Sequence, residues 1–207
     1  MEVKIKCRTV GIWNENSYFL NYQGEAWLID PGDEFKKLDS FFNPEHYHLK
    51  GIINTHGHFD HIGAVNEFKQ KYSLPFFIHS KDKQLVRQGN LYKKLAGSNE
   101  PLQTPEIDNV LDNMQISIAD KPVKIHYTPG HTHGSVCFQI DNYLFSGDIL
   151  FKDALGRTDL PGGNKNLLRN SIDFILANFS GYTIFPGHGE SFFLNEKAIA
   201  GFKKLLS

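Results

Sequence analysis

Asn54-Thr55-His56-Gly57-His58-Phe59-Asp60-His61 places four metal-capable side chains within six positions of the chain. In an extended segment side chains alternate between two faces, so His56 and His58 point the same way, with their Cα atoms roughly 7 Å apart. Their imidazoles can therefore close on one metal ion. Asp60 and His61 are adjacent and cannot both face that ion. Apolar residues at helical spacing follow them, which predicts that this pair lies in the first turn of a helix and faces a second ion.

Two metal ions need more than four ligands, and three later segments of the chain offer them. Each segment is an apolar, strand-like run that ends in a glycine followed by a histidine or an aspartate. The segments are Ile125–Gly134 with His131, Tyr143–Asp148 with Asp148, and Tyr182–Gly189 with His188. Glycine lets the backbone turn tightly and presents the next side chain at the end of a strand. We therefore expect seven ligands, five imidazoles and two carboxylates, to converge in one cleft.

These motifs resemble those of the metallo-β-lactamase superfamily. The strings THGHFDH, GHTHGS, SGD and FPGHG occur in that order, and the resemblance spans nearly the whole chain. It implies one metal held by His56, His58 and His131, a second held by Asp60, His61 and His188, and Asp148 bridging the two. His133 is a weaker candidate than His131, because the first histidine of that motif coordinates. Asp30, in a segment similar to the first motif of the family, is expected to brace imidazoles rather than to bind metal.

Within the superfamily, the segments 147–151 and 156–163 resemble the short glyoxalase II-like proteins, which are similar to hydroxyacylglutathione hydrolase but lack its C-terminal helical domain. The resemblance implies hydrolysis of a small thioester such as S-lactoylglutathione. In the full-length enzymes that domain contributes basic side chains to glutathione binding, and a tyrosine closely follows the last metal histidine. Here His188 is followed by Gly189-Glu190-Ser191, so the thiol carrier stays open.

The resemblance also implies a mechanism. Two divalent ions bridged by Asp148 and a water would lower the pKa of that water to about 7, and the resulting hydroxide would attack the substrate carbonyl. Asp60 would bind the second ion and orient the hydroxide, so Asp60 and Asp148 are the predicted catalytic residues. We expect zinc, with iron or manganese as alternatives, because imidazole and carboxylate ligands suit all three metals.

Two basic residues near the predicted site are candidates for substrate binding. Arg157 and Lys152 lie in the segment after Asp148, which the resemblance associates with the glutathione part of the substrate, and Arg157 could hold a carboxylate through a bidentate pair. The alternative for Arg157 is an intramolecular ion pair with Asp153 or Asp159.

Other functions share this set of metal ligands. A persulfide dioxygenase of the related family would use a single iron held by His56, His131 and Asp148, a face typical of iron(II) oxygen chemistry. A phosphodiesterase or nuclease is a further alternative, but the chain lacks an obvious basic binding arm. A β-lactam hydrolase is disfavoured, because those enzymes commonly carry a cysteine at the position of Asp148 and an export signal. A non-catalytic, structural metal site is also disfavoured. Such sites are usually closed and bind the metal through four ligands, whereas seven candidate ligands are present here.

Composition is typical of one compact domain over residues 1–207. Hydrophobic residues make up 40% of the chain, and the formal net charge of −1 gives no general attraction to nucleic acid or to an acidic membrane. The N-terminal segment alternates charged and apolar residues, unlike a signal peptide, and no apolar run reaches membrane-spanning length. We expect a cytoplasmic enzyme acting on a small molecule, with Cys7 and Cys137 as reduced, buried thiols. The oligomeric state is not predicted.

The pattern of apolar residues predicts an α/β fold, a four-layer αββα sandwich of two mixed β-sheets flanked by helices, which the resemblance also implies. Residues 97–114, rich in Gly, Ser, Asn, Pro and Asp, are expected to form a surface loop or a lid. Strands are predicted near 3–9, 17–22, 25–30, 51–54, 75–78, 116–119, 123–128, 135–140, 143–146 and 182–185. Helices are predicted near 34–42, 61–72, 81–94, 165–178 and 196–206.

Overall fold

The computed structural model describes residues 2–206 and contains two six-stranded mixed sheets with helices on their outer faces. The first sheet has the order β1-β2-β3-β4-β5-β6, antiparallel through β3 and parallel from there on. Its strands are β1 (Lys4–Val10), β2 (Glu15–Tyr22), β3 (Glu25–Ile29), β4 (His48–Ile53), β5 (Phe76–Ile78) and β6 (Asn109–Val110).

The second sheet is mostly antiparallel and has the order β14-β13-β10-β9-β8-β7, with one parallel pair between β10 and β13. Its strands are β7 (Ile116–Ile118), β8 (Lys121–Tyr127), β9 (Val136–Ile140), β10 (Tyr143–Gly147), β13 (Thr183–Pro186) and β14 (Phe192–Phe193). A small hairpin joins β11 (Leu150–Phe151) to β12 (Ala154–Leu155). The helices are α1 (Phe35–Phe42), α2 (Val65–Tyr72), α3 (Lys83–Arg87), α4 (Gly89–Leu95), α5 (Lys165–Asn178) and α6 (Glu196–Leu206).

Three apolar clusters separate the four layers. Alternate residues of a strand face opposite sides of a sheet, so Ile53 packs between the two sheets whereas its neighbour Ile52 packs against the helices. The cluster outside the first sheet includes Phe42 of α1 and Phe68 of α2. The cluster outside the second sheet includes Ile172 of α5 and Phe202 of α6. The predicted four-layer sandwich is thereby confirmed.

Several predicted boundaries were wrong. Helix α2 begins at Val65, because residues 62–64 lie against the loop after β3, where Ala64 N–H donates to the Pro31 carbonyl at 3.0 Å. Asp60 therefore lies in a short 3₁₀ turn, Phe59–His61, and not in an α-helix. The helix predicted over 81–94 is divided at Gln88 into α3 and α4. Strands β6, β11, β12 and β14 were missed, since two-residue strands carry no detectable alternation.

The remaining sequence predictions have mixed outcomes. The loop predicted over 97–114 contains β6 and is held to its neighbours, since Asn90 and Leu102 exchange two hydrogen bonds. Cys7 and Cys137 are both unpaired, but Cys7 is exposed, which corrects the prediction of two buried thiols. None of the helices within the described residues is long and apolar enough to cross a membrane. The prediction of a single domain over residues 1–207 stays a prediction.

Candidate metal centre

All seven predicted ligands lie on loops that follow the carboxyl ends of strands. His56 and His58 follow β4, and Asp60 and His61 belong to the 3₁₀ turn just beyond. His131, Asp148 and His188 follow β8, β10 and β13, which run in the same direction within the second sheet. The predicted convergence is therefore observed at one edge of the sandwich.

The side chains form two adjacent groups of potential ligands. His56, His58 and His131 offer ligand atoms within 4.8 Å of one another, and so do Asp60, His61 and His188. In the first group, His131 Nε2 lies 2.9 Å from His58 Nδ1. In the second, His188 Nε2 lies 3.4 Å from Asp60 Oδ2. Each group matches a predicted ligand triad.

Asp148 lies between these two groups. Its Oδ2 is 3.5 Å from Nε2 of His131 in the first group and 3.5 Å from Nε2 of His188 in the second. Its Oδ1 is 3.5 Å from His61 Nε2. A single carboxylate thus reaches both groups, which is the arrangement that a bridging ligand requires.

Unpartnered buried atoms show that the cluster fits a cation. His56 Nε2, His58 Nε2, His61 Nε2 and Asp148 Oδ1 are buried without a hydrogen-bond partner. Buried polar atoms are normally paired, because leaving one unsatisfied costs about 1–3 kcal/mol. Glu15 Oε1 and Asn54 Oδ1, two further buried atoms of this kind, lie in residues that contact His61. Divalent cations bound to His56 Nε2, His61 Nε2 and Asp148 Oδ1 would satisfy half of this set of six atoms.

The charges of these groups favour the same interpretation. Burial and neighbouring imidazoles lower the pKa of His56 and His58, that of His58 to about 3, so both are neutral and keep a lone pair for a metal. Burial opposes ionisation of Asp148, but the surrounding imidazoles outweigh it and hold the pKa of Asp148 well below its ordinary value. Burial also lowers the pKa of His188, yet Asp148 and Asp60 raise it to about 11. The centre therefore attracts positive charge.

Hydrogen bonds on the outer side fix which nitrogen each imidazole turns toward the centre. His131 Nδ1–H donates to the Arg157 carbonyl at 2.8 Å, and His188 Nδ1–H donates to the Trp13 carbonyl at 3.0 Å. His61 Nδ1–H donates to Asp30 Oδ2 at 3.1 Å. Because carbonyl and carboxylate oxygens only accept, Nδ1 of each ring is the donor in these bonds, so Nε2 faces the cluster and is the atom that would bind a metal.

Asp30 has the bracing position that its motif predicts. Its carboxylate accepts hydrogen bonds from Thr55 N at 2.7 Å and from Thr55 Oγ1 at 2.5 Å, besides the bond from His61. Its backbone has a φ of 48°, a left-handed conformation that is uncommon for residues other than glycine. Asp30 thus ties the residue before His56 to His61.

Asp82, which the sequence analysis missed, connects the two histidine loops. Its Oδ2 accepts hydrogen bonds from Gly57 N at 2.9 Å and from Thr132 Oγ1 at 2.7 Å, while Oδ1 accepts one from Gly134 N at 2.7 Å. An aspartate just before a helix usually caps it, but this side chain makes no capping bond to α3. The position of Asp82 in the sequence therefore predicts a helix cap and not its contacts with the two histidine loops.

Asn16, also missed, attaches the His188 loop to the first sheet. Its backbone N–H donates to the Gly187 carbonyl at 2.7 Å, and its amide Nδ2 donates to Gly189 O at 2.8 Å. Tyr18 Oη donates to the Pro186 carbonyl at 2.6 Å. These residues are more than 160 positions apart in the chain, so no local sequence pattern could have identified them.

The two basic residues predicted to bind substrate are both engaged in ion pairs. Arg157 Nε and Nη2 donate to the two carboxylate oxygens of Asp159 at 2.8 and 2.7 Å, which is the intramolecular alternative considered above. Lys152 Nζ donates to Glu190 at 2.6 Å, and Lys152 does not line the cavity beside the metal centre. The structure thus does not bring Lys152 to that cavity, and its role in substrate binding stays a prediction.

A cavity of about 760 Å³ opens onto Asp60, His58, His131, Asp148 and His188. Its other lining residues are Trp13, Phe59, Tyr92, Leu95, Ala96, Phe151, Ala154, Leu155, Arg157, Leu160, Pro161 and Gly189. A substrate in this space would therefore lie against the cluster of potential ligands.

Comparison with known sequences finds one family. A family model described as the metallo-beta-lactamase superfamily matches residues 10–188. A probable metallo-hydrolase, YqgX of Bacillus subtilis, is 31% identical over 184 residues and covers 87% of each chain. The hydroxyacylglutathione hydrolase GloC of Haemophilus influenzae is 31% identical over 175 residues, 79% of this chain and 80% of its own.

Solved structures show the same fold. The B3 metallo-beta-lactamase BLEG-1 superposes with a TM-score of 0.86 at 32% identity, covering 99% of this chain and 100% of its own. TTHA1623, solved in a di-iron-bound form, superposes with a TM-score of 0.81 at 32% identity, covering 91% of this chain and 94% of its own.

Proposed function

Because the chain belongs to the metallo-β-lactamase superfamily, we propose that it is a two-metal hydrolase of small acyl thioesters. His56, His58 and His131 would hold one ion, Asp60, His61 and His188 the other, and Asp148 both. The observation that carries this proposal is the convergence of the two groups around Asp148, with buried imidazole nitrogens that lack partners. The similarity to GloC supports the choice of a thioester.

When bound, the ions supply a hydroxide nucleophile near neutral pH and polarise the substrate carbonyl. The protein side chains perform the remaining tasks. Asp60 lines the cavity with a side chain about 15% exposed, so its carboxylate can accept a hydrogen bond from water and orient it. The hydrogen bonds from His131, His188 and His61 to the outer oxygens hold the rings in place. The thiolate leaving group does not need protonation by a strong general acid, because thiols have a pKa near 8.5.

Metal content and thioester turnover test the proposal together. The purified protein is loaded with zinc, iron or manganese, metal per chain is measured, and thiol release is followed with S-lactoylglutathione and with a simple acyl thioester. We expect two ions per chain and turnover with at least one thioester, with zinc as the native metal. Iron is included because a 32% identical relative was solved with two irons.

Two further assays decide between related activities. The similarity to BLEG-1 makes β-lactam hydrolysis a second candidate, so a carbapenem is assayed beside the thioesters. Oxygen uptake with glutathione persulfide tests the single-iron alternative. One iron per chain with oxygen consumption, or carbapenem turnover without thioester turnover, would refute the proposed function.

A further inference from the structure

The cavity beside the metal centre has three walls of apolar side chains. Trp13 and Phe59 pack edge to face at 4.7 Å and form one wall. The second wall comes from α4 and its end, and the third comes from the β11–β12 hairpin and the loop after it. These two walls are lined by Tyr92, Leu95, Ala96, Phe151, Ala154, Leu155, Leu160 and Pro161.

The same lining offers little to an anionic group. Arg157 is the one Lys or Arg among the lining residues of the described chain, and one edge of its guanidinium, Nε and Nη2, is already paired with the Asp159 carboxylate. Two of the lining side chains, Asp60 and Asp148, are themselves acidic. A glutathione moiety carries two carboxylates and would therefore find no unpaired cationic side chain in this space.

We propose that this cavity takes the apolar acyl group of a thioester, so that the enzyme prefers medium-chain acyl groups over the lactoyl group. This inference rests on the proposed function and specifies its substrate class. The thiols that carry acyl groups in cells are polar and charged, so the apolar part of such a substrate is its acyl chain. That chain lies in the cavity, and the thiol lies toward solvent.

Burial of the acyl chain would supply the selectivity. Leu95 is 74% exposed at the rim of the cavity, and a bound chain would cover it. Transfer of each methylene from water to an apolar wall favours binding, and partial burial should raise kcat/KM about threefold for each methylene. From acetyl to hexanoyl, four methylenes longer, the gain should be on the order of 100-fold.

A series of acyl thioesters of one neutral thiol tests this prediction. Acetyl, butyryl, hexanoyl and D-lactoyl thioesters of N-acetylcysteamine are compared with S-lactoylglutathione on the metal-loaded protein. We expect kcat/KM to rise with chain length and hexanoyl to exceed both lactoyl substrates. Turnover that is independent of chain length, or fastest with S-lactoylglutathione, would overturn the inference while leaving the proposed function intact.

A charge placed on the wall should reduce the selectivity. Leu95→Asp should lower the ratio of hexanoyl to acetyl kcat/KM at least about fivefold. A bound hexanoyl chain would remove water from the introduced carboxylate, and this desolvation costs free energy. Leu91→Asp is the matched control, since Leu91 is an exposed leucine on the same helix that does not line the cavity. This control should keep the ratio of the unmodified protein. An unchanged ratio in Leu95→Asp would contradict the placement of the chain.

Binding gives a readout that does not depend on turnover. Methyl ketones of increasing length, from 2-butanone to 2-octanone, are titrated into the metal-free protein while the fluorescence of Trp13 is followed, with Trp13→Phe as the spectroscopic control. We expect Kd to fall about threefold for each methylene. Tight, length-dependent binding without thioester turnover would refute the proposed function alone, whereas length-independent binding would refute the inference.

Discussion

The missing side chain at Gly187 allows Asp148 and His61 to approach each other. A Cβ built at this position would lie 2.2 Å from Asp148 Oδ1 and 2.7 Å from His61 Cε1, distances that no real contact tolerates. Gly187→Ala should therefore displace the carboxylate and reduce bound metal from two ions per chain to one or none. Turnover should fall about 10- to 100-fold, as expected when the support of a metal ligand is lost.

Gly201→Ala is the matched control for this substitution. A Cβ at Gly201, in α6, meets nothing within 4 Å. This variant should keep both ions and gain about 0.5–1 kcal/mol of unfolding free energy, because alanine favours a helix over glycine. Metal analysis by mass spectrometry and urea unfolding measure both effects, and a Gly187→Ala protein with two ions and normal turnover would contradict the close approach.

Asp148 lies 3.5 Å from an imidazole in each of the two groups of candidate ligands. Asp148→Ala should lower the occupancy of both ions and reduce kcat/KM by at least about 100-fold. The fold should persist, because the residue lies in a loop at the end of β10 and not within a core cluster. Circular dichroism of the metal-free variant checks the fold, and undiminished turnover would show that Asp148 does not bridge.

At the scale of single residues, the sequence predicts which polar side chains converge but not the residues that hold them in place. The seven candidate ligands could be selected because they occur in short motifs that follow strand-like runs. Asp82 contacts Gly57 and Gly134 across 25 and 52 positions, and its own surroundings look like an ordinary helix start. The side chain of Arg157 pairs locally, while its carbonyl holds His131, a backbone contact that residue type does not encode.

At the scale of secondary structure elements, Asp112 fixes the segment after β6 to the turn after β5. Ser80 donates to its carboxylate from the backbone N at 2.9 Å and from Oγ at 2.5 Å. Burial opposes ionisation, but these bonds and the nearby His79 outweigh it and hold the pKa of Asp112 below its ordinary value. The stabilisation is therefore complete above the unfolded-state value of 3.8 and is lost as pH falls through the lower folded-state value.

Asp112→Asn should reveal this pH dependence. At pH 7 the variant should be less stable than the unmodified protein by about 1 kcal/mol, since hydrogen bonds to a charged, partly exposed group are lost. The difference should shrink as the pH is lowered from about 5 to 2. Urea unfolding of the metal-free proteins across this range measures it. Asp173→Asn, on the exposed face of α5, is the control for the loss of a surface carboxylate. A constant difference for Asp112→Asn would contradict the pKa shift.

Element boundaries show where local pattern and tertiary contact compete. The apolar spacing after His61 is helical, but helix α2 starts only at Val65 because Gly63 packs against the Gly32 carbonyl, which a Cβ at Gly63 would approach to 2.1 Å. The predicted helix over 81–94 divides next to Gly89, which packs against Leu102. Long strands and α5 were located well, because their periodic burial is decided within the element itself.

At the scale of the whole molecule, metal binding should contribute to the stability of the sandwich. The candidate ligands lie on loops of both sheets, and ions that bind only the folded protein would stabilise it by about 4 kcal/mol when free metal is 1,000-fold above the dissociation constant. Removal of metal by a chelator should lower Tm by about 10 °C for a chain of this size. Calorimetry with and without chelator measures the shift, and readdition of zinc should reverse it.

The Asp148→Ala variant controls for unspecific effects of the chelator. It should show a smaller shift than the unmodified protein, because it binds the ions weakly in either condition. An equal Tm with and without chelator in the unmodified protein would show that the stability of the sandwich does not depend on ions.

The layered fold itself was predictable from the alternation of apolar and polar residues. The attachment of the His188 loop to Asn16 was not, because it joins opposite ends of the chain and has no local sequence signal.

The carboxylate of Asp82 joins the two histidine loops into one unit that would have to be moved together. Its two oxygens accept hydrogen bonds from Gly57 in one loop and from Thr132 and Gly134 in the other. A designer who grafts this centre onto another scaffold must carry Asp82 with the seven ligands. A graft without Asp82 would leave these three donors without their acceptor, and the spacing of the imidazoles would not be maintained in the metal-free protein.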